Sequence, residues 1–296
     1  MSPPKGPDES ARGLGLALAA FLTWGLFPIY FKALRPVPPL EILAHRVAWS
    51  ALLLAALLAR RGGPSGFRAP FRGERLPLLA LTTALISVNW LVYIWAVQAG
   101  RIVEASLGYF VNPLVNVLLG VAFLRESLSR RQKAAVALAG AGVALLVIRT
   151  GAFPWVALVL ATSFGLYGLL RKRAAIDSVG GLFGETALLA PAAIAYLAFR
   201  AHQGTGALGS GAGVTILLAA AGPLTALPLV WFGLALHRLR LSTVGLVQYV
   251  TPTSQFLIGV LLYREPFGPA HAAAFACIWA SLALYSWDLY VRARSS

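Results

Sequence analysis

The apolar stretch from Arg101 to Leu128, RIVEASLGYFVNPLVNVLLGVAFLRESL, returns later in the chain as RLSTVGLVQYVTPTSQFLIGVLLYREPF, from Arg240 to Phe267. Setting Pro113 on Pro252, an offset of 139 positions, also sets Arg101 on Arg240, Phe110 on Tyr249, Asn112 on Thr251, Gly120 on Gly259 and Arg125-Glu126 on Arg264-Glu265, without a gap. Each copy is long and apolar enough to cross a bilayer, and its central proline predicts one kinked helix. Upstream, FLTWGLFPIYFK (21–32) lies 140 positions before ATSFGLYGLLRK (161–172), with Gly25 on Gly165 and Lys32 on Lys172. A repeat of half the chain restricts the fold to two related halves, the plan of a carrier built from internal repeats.

With 58% hydrophobic and 12% charged residues, the chain has too little polar surface to cover a soluble core, so it reads as an integral membrane protein. Apolar runs of spanning length occur at 13–33, 39–59, 76–98, 103–124, 133–148, 152–170, 179–199, 213–236, 242–263 and 268–289, giving ten predicted transmembrane helices. The boundary between the fifth and sixth is the least marked, since only Arg149, Thr150 and Gly151 separate them.

The net charge of +15 sits in short groups between these runs rather than along one soluble face, which argues against nucleic acid as a partner. With a cytoplasmic N-terminus, 18 of the 25 Lys and Arg residues fall on the inner side, 6 on the outer side, and Arg46 alone lies inside a span. That asymmetry favours both termini in the cytoplasm. Five spans per half insert the second copy upside down, so the expected fold is all-α, with two inverted five-helix repeats (13–148 and 152–289) around a central cavity. Residues 1–12 are expected to be a disordered cytoplasmic tail and 290–296 a second tail. The first run is too long for a signal segment and is expected to remain in the mature protein. The one cysteine, Cys277, forbids an intrachain disulfide.

Candidate cavity-lining groups fall on particular spans. The first offers Trp24 and contains no carboxylate; the third carries Asn89, Trp90 and Tyr93, too deep for an interfacial aromatic belt; the fourth offers Tyr109 and Asn112. Asn112 precedes Pro113, which frees carbonyls of the preceding turn to face either a neighbouring helix or a cavity, and asparagine can equally tie helices together. In the second half the candidates are Tyr167, Trp231, Gln248, Tyr249 and Thr251, with Pro252 as the second hinge beside Pro113. Glu41 and His45 share a helix face with Arg46 one step round. With Glu104 and Glu185 they are read either as structural ion pairs or as a proton or substrate pathway. No HExxH, GxSxG or paired intramembrane aspartates occur, so no catalytic residue, metal or cofactor is expected.

The segments WGLFPIYFKAL, EILAHRVAWS, NWLVYIWAV, EASLGYFVNPLVNVLLG, FGLYGLLRK and LRLSTVGLVQYVTP together resemble the RarD branch of the EamA family, in the drug/metabolite transporter superfamily. The resemblance runs from about residue 12 to 290. It implies a ten-helix bundle whose cavity is formed mainly by spans 1, 3, 4, 6, 8 and 9, and export of small metabolites across the bacterial inner membrane. Related small multidrug carriers couple to protons through a carboxylate in their first helix; neither the first nor the sixth span has one, so that coupling is not carried over. The expected substrates are small amphipathic molecules, amino acids above all, ranked aromatic and apolar first and then threonine-like. Uncharged aromatic and amide groups predict breadth and low affinity. The alternative is a permease for neutral drugs of the chloramphenicol kind. Lipid and a small-molecule substrate are the expected partners, and the chain is expected to act as a monomer.

Overall fold

The computed structural model describes residues 7–62, 67, 69–71, 73–124, 128–174, 178–236, 238–239, 243–244 and 247–295. Arg125, Glu126 and Arg240 of the duplicated stretch, and residues 1–6 of the expected tail, lie outside the described residues. The helices are α1 (Pro7–Gly25), α2 (Phe27–Ala33), α3 (Pro39–Gly62), α4 (Leu76–Gln98), α5 (Ile102–Leu124), α6 (Arg130–Thr150), α7 (Trp155–Ala174), α8 (Ser178–His202), α9 (Ala212–Leu236), α10 (Val250–Leu257) and α11 (Pro269–Ser295). A π-helical turn, Ile258–Leu262, follows α10, and no strand occurs among the described residues.

Eight segments are long and apolar enough to cross a membrane, counting Ala11–Ala33 as one, and Trp155–Arg171 and Val250–Leu262 are shorter apolar helices. The protein is therefore a multi-pass membrane protein. The two shorter helices stand where the sixth and ninth spans were expected.

Proline placement accounts for two departures from the expected spans. The first is not one helix: α1 ends at Gly25 and α2 begins at Phe27, with Pro28 in its first turn. Proline 28 has no N–H to give to Trp24 O, four residues back, and Gln255 Nε2 supplies that carbonyl with a donor at 3.1 Å instead. The ninth is not a long kinked helix either. Residues 248–249 form a turn and α10 starts at Val250, which puts Pro252 in the first turn of a helix rather than at a mid-span kink. Pro113, by contrast, lies within a continuous α5.

The expected tails are also shorter than predicted. Helix α1 begins at Pro7, where a proline followed by Asp8 and Glu9 is a helix-start pattern, and α11 continues to Ser295. The weak boundary near 150 is real: Gly151 ends α6 with φ 65°, a left-handed conformation suited to glycine. At its other end α6 starts earlier than expected because Ser129 and Gln132 form a reciprocal cap.

Helix α11 lies along α6, α5 along α7, α3 against α8 and α9, α4 against α7, and α1 against α9 and α10. Corresponding residues of the two halves make corresponding contacts. Asn112 Nδ2 donates to Ala161 O at 3.0 Å, and Thr251 Oγ1 donates to Phe21 O at 2.7 Å. A Cβ at Gly165 would stand 3.1 Å from Val115 Cγ1; one at Gly25 would stand 2.8 Å from Ser254 Cβ. Where α6 meets α11, a Cβ at Gly142 would lie 3.1 Å from Ala274 O, and Ser281 Oγ donates to Ala135 O at 2.6 Å.

Without a hydrophobic force between helices in lipid, close approach and such carbonyl-directed bonds hold the bundle together. Substituting Ser281→Ala is expected to cost about 0.6–1 kcal/mol, read as a lower unfolding midpoint of the detergent-solubilised protein, because the alanine is well accommodated and only the tie is lost.

Candidate functional site: a buried arginine and a file of aromatic rings

Arg46, on α3, is 6% exposed. Its Nε donates to Thr225 Oγ1 on α9 at 2.8 Å, and the threonine passes its own proton to Ala221 O at 2.8 Å. The guanidinium carbon lies 4.1 Å from the Trp90 ring centroid, 5.4 Å from that of Phe27 and 6.0 Å from that of Phe31. A planar, weakly hydrated cation is the one best suited to such rings. Among the described residues no carboxylate lies within 4.0 Å of it.

Two phenols pack on the same phenylalanines: Tyr30 lies 6.4 Å from Phe27 and 4.9 Å from Phe31, and Tyr93 lies 5.9 Å from Phe31, with Tyr109 next beyond Tyr93. Tyr30 donates to Leu217 O at 2.8 Å. Tyr109 reaches Asn89 Oδ1 only at 3.4 Å, and the buried hydroxyl of Tyr93 has no hydrogen-bond partner among the described residues.

From there the rings continue as a file through four helices. Phe31 meets Tyr93 at 5.9 Å between centroids, Tyr93 meets Tyr109 at 5.7 Å, Tyr109 meets Phe164 at 6.3 Å and Phe164 meets Tyr167 at 6.0 Å. The file ends at Glu185, which is 0% exposed and accepts from Tyr167 at 3.1 Å, with Arg171 Nη1 3.8 Å away.

The amides expected to line a cavity bond to neighbouring helices. Asn89 Nδ2 donates to Leu160 O and Ser163 Oγ, both at 3.0 Å, so it ties α4 to α7. Asn112 ties α5 to α7, and Thr251 ties α10 to α1. A buried amide or hydroxyl in an apolar bundle needs a partner, and the nearest free one is a neighbour's carbonyl.

Trp24 belongs to a separate group with Phe21 and Phe232, at 5.6 and 5.9 Å. Phe232 makes that contact, and its neighbour Trp231 points about 100° away from it on the helix. Tyr249 stacks on Phe110 at 6.4 Å, away from the file. Gln248 is exposed and has no described side-chain partner, so the structure does not bring it to the aromatic file.

The ionisable groups divide likewise. Glu41 accepts from Arg200 Nη2 at 3.2 Å and from Ala207 N at 2.5 Å, and Glu104 pairs with Arg101 at 2.8 Å and accepts from Val156 N at 3.0 Å. These, with Glu185, are paired with arginines. His45 is buried, and among the described residues its Nε2 has no partner and it forms no ion pair. Arg46 belongs to no ion pair among the described residues either.

At the face away from the chain termini, Glu265 accepts from Ile102 N at 2.9 Å and Val103 N at 2.8 Å, capping α5. A cavity of about 280 Å³ opens there, lined by Arg101, Glu104, Glu265 and His271 among others, and contains none of the expected cavity residues. Sequence reasoning missed Phe27 and Phe31, although Phe27, Tyr30 and Phe31 lie three and four apart on one helix face.

Residues 11–148 match the EamA-like transporter family. The chain is 45% identical to "Uncharacterized transporter YojE" of Bacillus subtilis (strain 168), covering 95% of each chain, and 42% identical to "Protein RarD" of Escherichia coli (strain K12), covering 97% of this chain and 98% of that one. It is 37% identical to "Chloramphenicol-sensitive protein RarD" of Pseudomonas aeruginosa, covering 94% and 95%. A solved crystal structure superposes with a TM-score of 0.60 over 97% of this chain and 99% of its own at 21% identity, a likeness of fold alone. With full-length relatives at this identity and the family match on its first half, the chain belongs to the EamA-like transporters of the drug/metabolite transporter superfamily, in the RarD branch.

Proposed function

We propose that the chain is an alternating-access exporter of small amphipathic metabolites, chiefly amino acids, in the bacterial inner membrane. The observation that carries this reading is the file of rings from Trp90 and Phe31 through Tyr93, Tyr109 and Phe164 to Tyr167, with polar atoms along it. Flat apolar surfaces interleaved with hydroxyls suit solutes with an apolar body and a polar end. The matched contacts at Asn112 and Thr251, and at Gly165 and Gly25, support two related halves, and the charge asymmetry of the loops favours both termini in the cytoplasm.

Uptake of labelled phenylalanine, threonine and chloramphenicol into proteoliposomes tests this, with protein-free vesicles as control. Phenylalanine flux is expected to exceed threonine flux and to survive collapse of an imposed pH gradient. Flux of chloramphenicol alone would replace the amino-acid reading by the drug permease, and flux that stops with the gradient would make the carrier proton-coupled.

A further inference from the structure

We infer that Arg46 and the Tyr93 hydroxyl form a receptor for a carboxylate, so that the substrates of this carrier are small carboxylic acids with a flat apolar body. The inference rests on the transport reading above and narrows it: a neutral amphiphile would leave the cation unanswered.

Burying an unpaired guanidinium in the membrane interior is costly, and such residues mark pathways when no structural partner explains them. Three half-buried arginines of the spans have carboxylates: Arg101 has Glu104, Arg171 has Glu185 and Arg200 has Glu41. Arg46 has none among the described residues. Its one described hydrogen bond engages Nε, which leaves the two Nη groups, the fork that grips a carboxylate through two parallel bonds, free of a described partner.

Were Arg46 only a tie between α3 and α9, a neutral amide would serve Thr225 equally well. The neighbouring groups point the same way. Tyr93 holds a buried donor with no acceptor, and Tyr109 spends its own on a 3.4 Å contact. A buried hydroxyl donor with no described acceptor and a half-used guanidinium, both packed in the cluster of Phe31 and Trp90, make an anion site with its acceptor missing. Stacking on Trp90 fixes the guanidinium plane and offers the ring file to the rest of the molecule.

The test is inhibition of labelled phenylalanine and labelled threonine uptake in proteoliposomes by acid and amide pairs: 3-phenylpropionate and phenylalanine against phenylalaninamide, and threonine against threoninamide. The acids are expected to inhibit and the amides to be at least about tenfold weaker, the value of one charge-assisted hydrogen bond. Arg46→Gln should abolish that preference, and Arg46→Lys should retain part of it. Should Arg46→Gln not fold, Tyr93→Phe serves in its place: it removes only a hydroxyl with no internal partner, so it is expected to fold as the wild type and weaken the acids about three- to tenfold.

Equal inhibition by acid and amide, a preference that persists in Arg46→Gln, or an unchanged Tyr93→Phe would overturn the inference. Flux of chloramphenicol that is unaffected by Arg46→Gln and by the acids would sink it while leaving a transporter. Absence of flux for every probe would sink the transport reading itself, and this inference with it.

Discussion

Gly222→Val is expected to prevent most of the protein from reaching a folded state, at a cost of about 3 kcal/mol or more. A Cβ at Gly222 on α9 would stand 2.7 Å from the carbonyl carbon, the carbonyl oxygen and the Cβ of Trp49 on α3. Two of those are backbone atoms, which cannot rotate aside, so the helices themselves must separate. The separation would propagate three residues along α9 to Thr225 and pull it from Arg46, so folding and the site fail together. Gly222→Ala should give an intermediate loss. Gly140→Ala is the control, since nothing lies within 4 Å of a Cβ there, and it should match or slightly exceed the wild type. The yield of monodisperse protein after detergent extraction, with its unfolding midpoint, measures all three. A Gly222→Val protein that elutes and melts like the wild type would mean that α3 and α9 do not cross as described.

Glu41→Ala is expected to be the most damaging single-charge removal, costing about 3 kcal/mol. Glu41 is 1% exposed and serves two donors, the Arg200 guanidinium and the Ala207 amide, joining the start of α3 to the connection after α8. Without it, an arginine side chain only 24% exposed keeps its charge and a backbone N–H loses its acceptor. Glu41→Gln retains an acceptor and should lose about half as much. Combining Glu41→Ala with Arg200→Leu should recover much of the loss, because the unpaired cation has gone with its partner. Strictly additive effects on the unfolding midpoint would show instead that the two side chains do not interact.

The reading of Glu41 illustrates what the sequence could and could not reveal. The duplication, the helical spans and the family were legible because they depend on order along the chain: a shared offset and runs of fixed length. The partners of the charges were not, because they depend on direction. Glu41 and Arg46 are five residues apart, which turns them about 140° from one another on a helix, so each faces a different neighbour. Glu41 found Arg200, 159 residues away, while Arg46 was left among rings.

Asn89 and Asn112 had the same ambiguity. An amide inside a span can face a cavity or a neighbour's carbonyl, and only the packing of α7 decides between them. The breaks in the first and ninth spans were half visible. Pro28 and Pro252 were conspicuous, but whether a proline bends a helix or divides it depends on which neighbour takes up the released carbonyl, and Gln255 does so for Trp24.

The ties from side chain to backbone also determine where this molecule is stiff. Asn89 and Asn112 lock α4 and α5 onto α7, and Thr251 and Gln255 lock α10 onto α1. A bond aimed at one carbonyl tolerates tilting but not sliding, since a shift of one residue, about 1.5 Å along a helix, removes its acceptor. Each set therefore behaves as a solid piece. Contacts between rings carry no such registry, and their geometry is satisfied over a range of offsets. Where Phe31 of α2 meets Tyr93 of α4 with Arg46 lying against them, the register is therefore held from one end only, by Gln98 of α4 donating to Leu34 O and Val37 O.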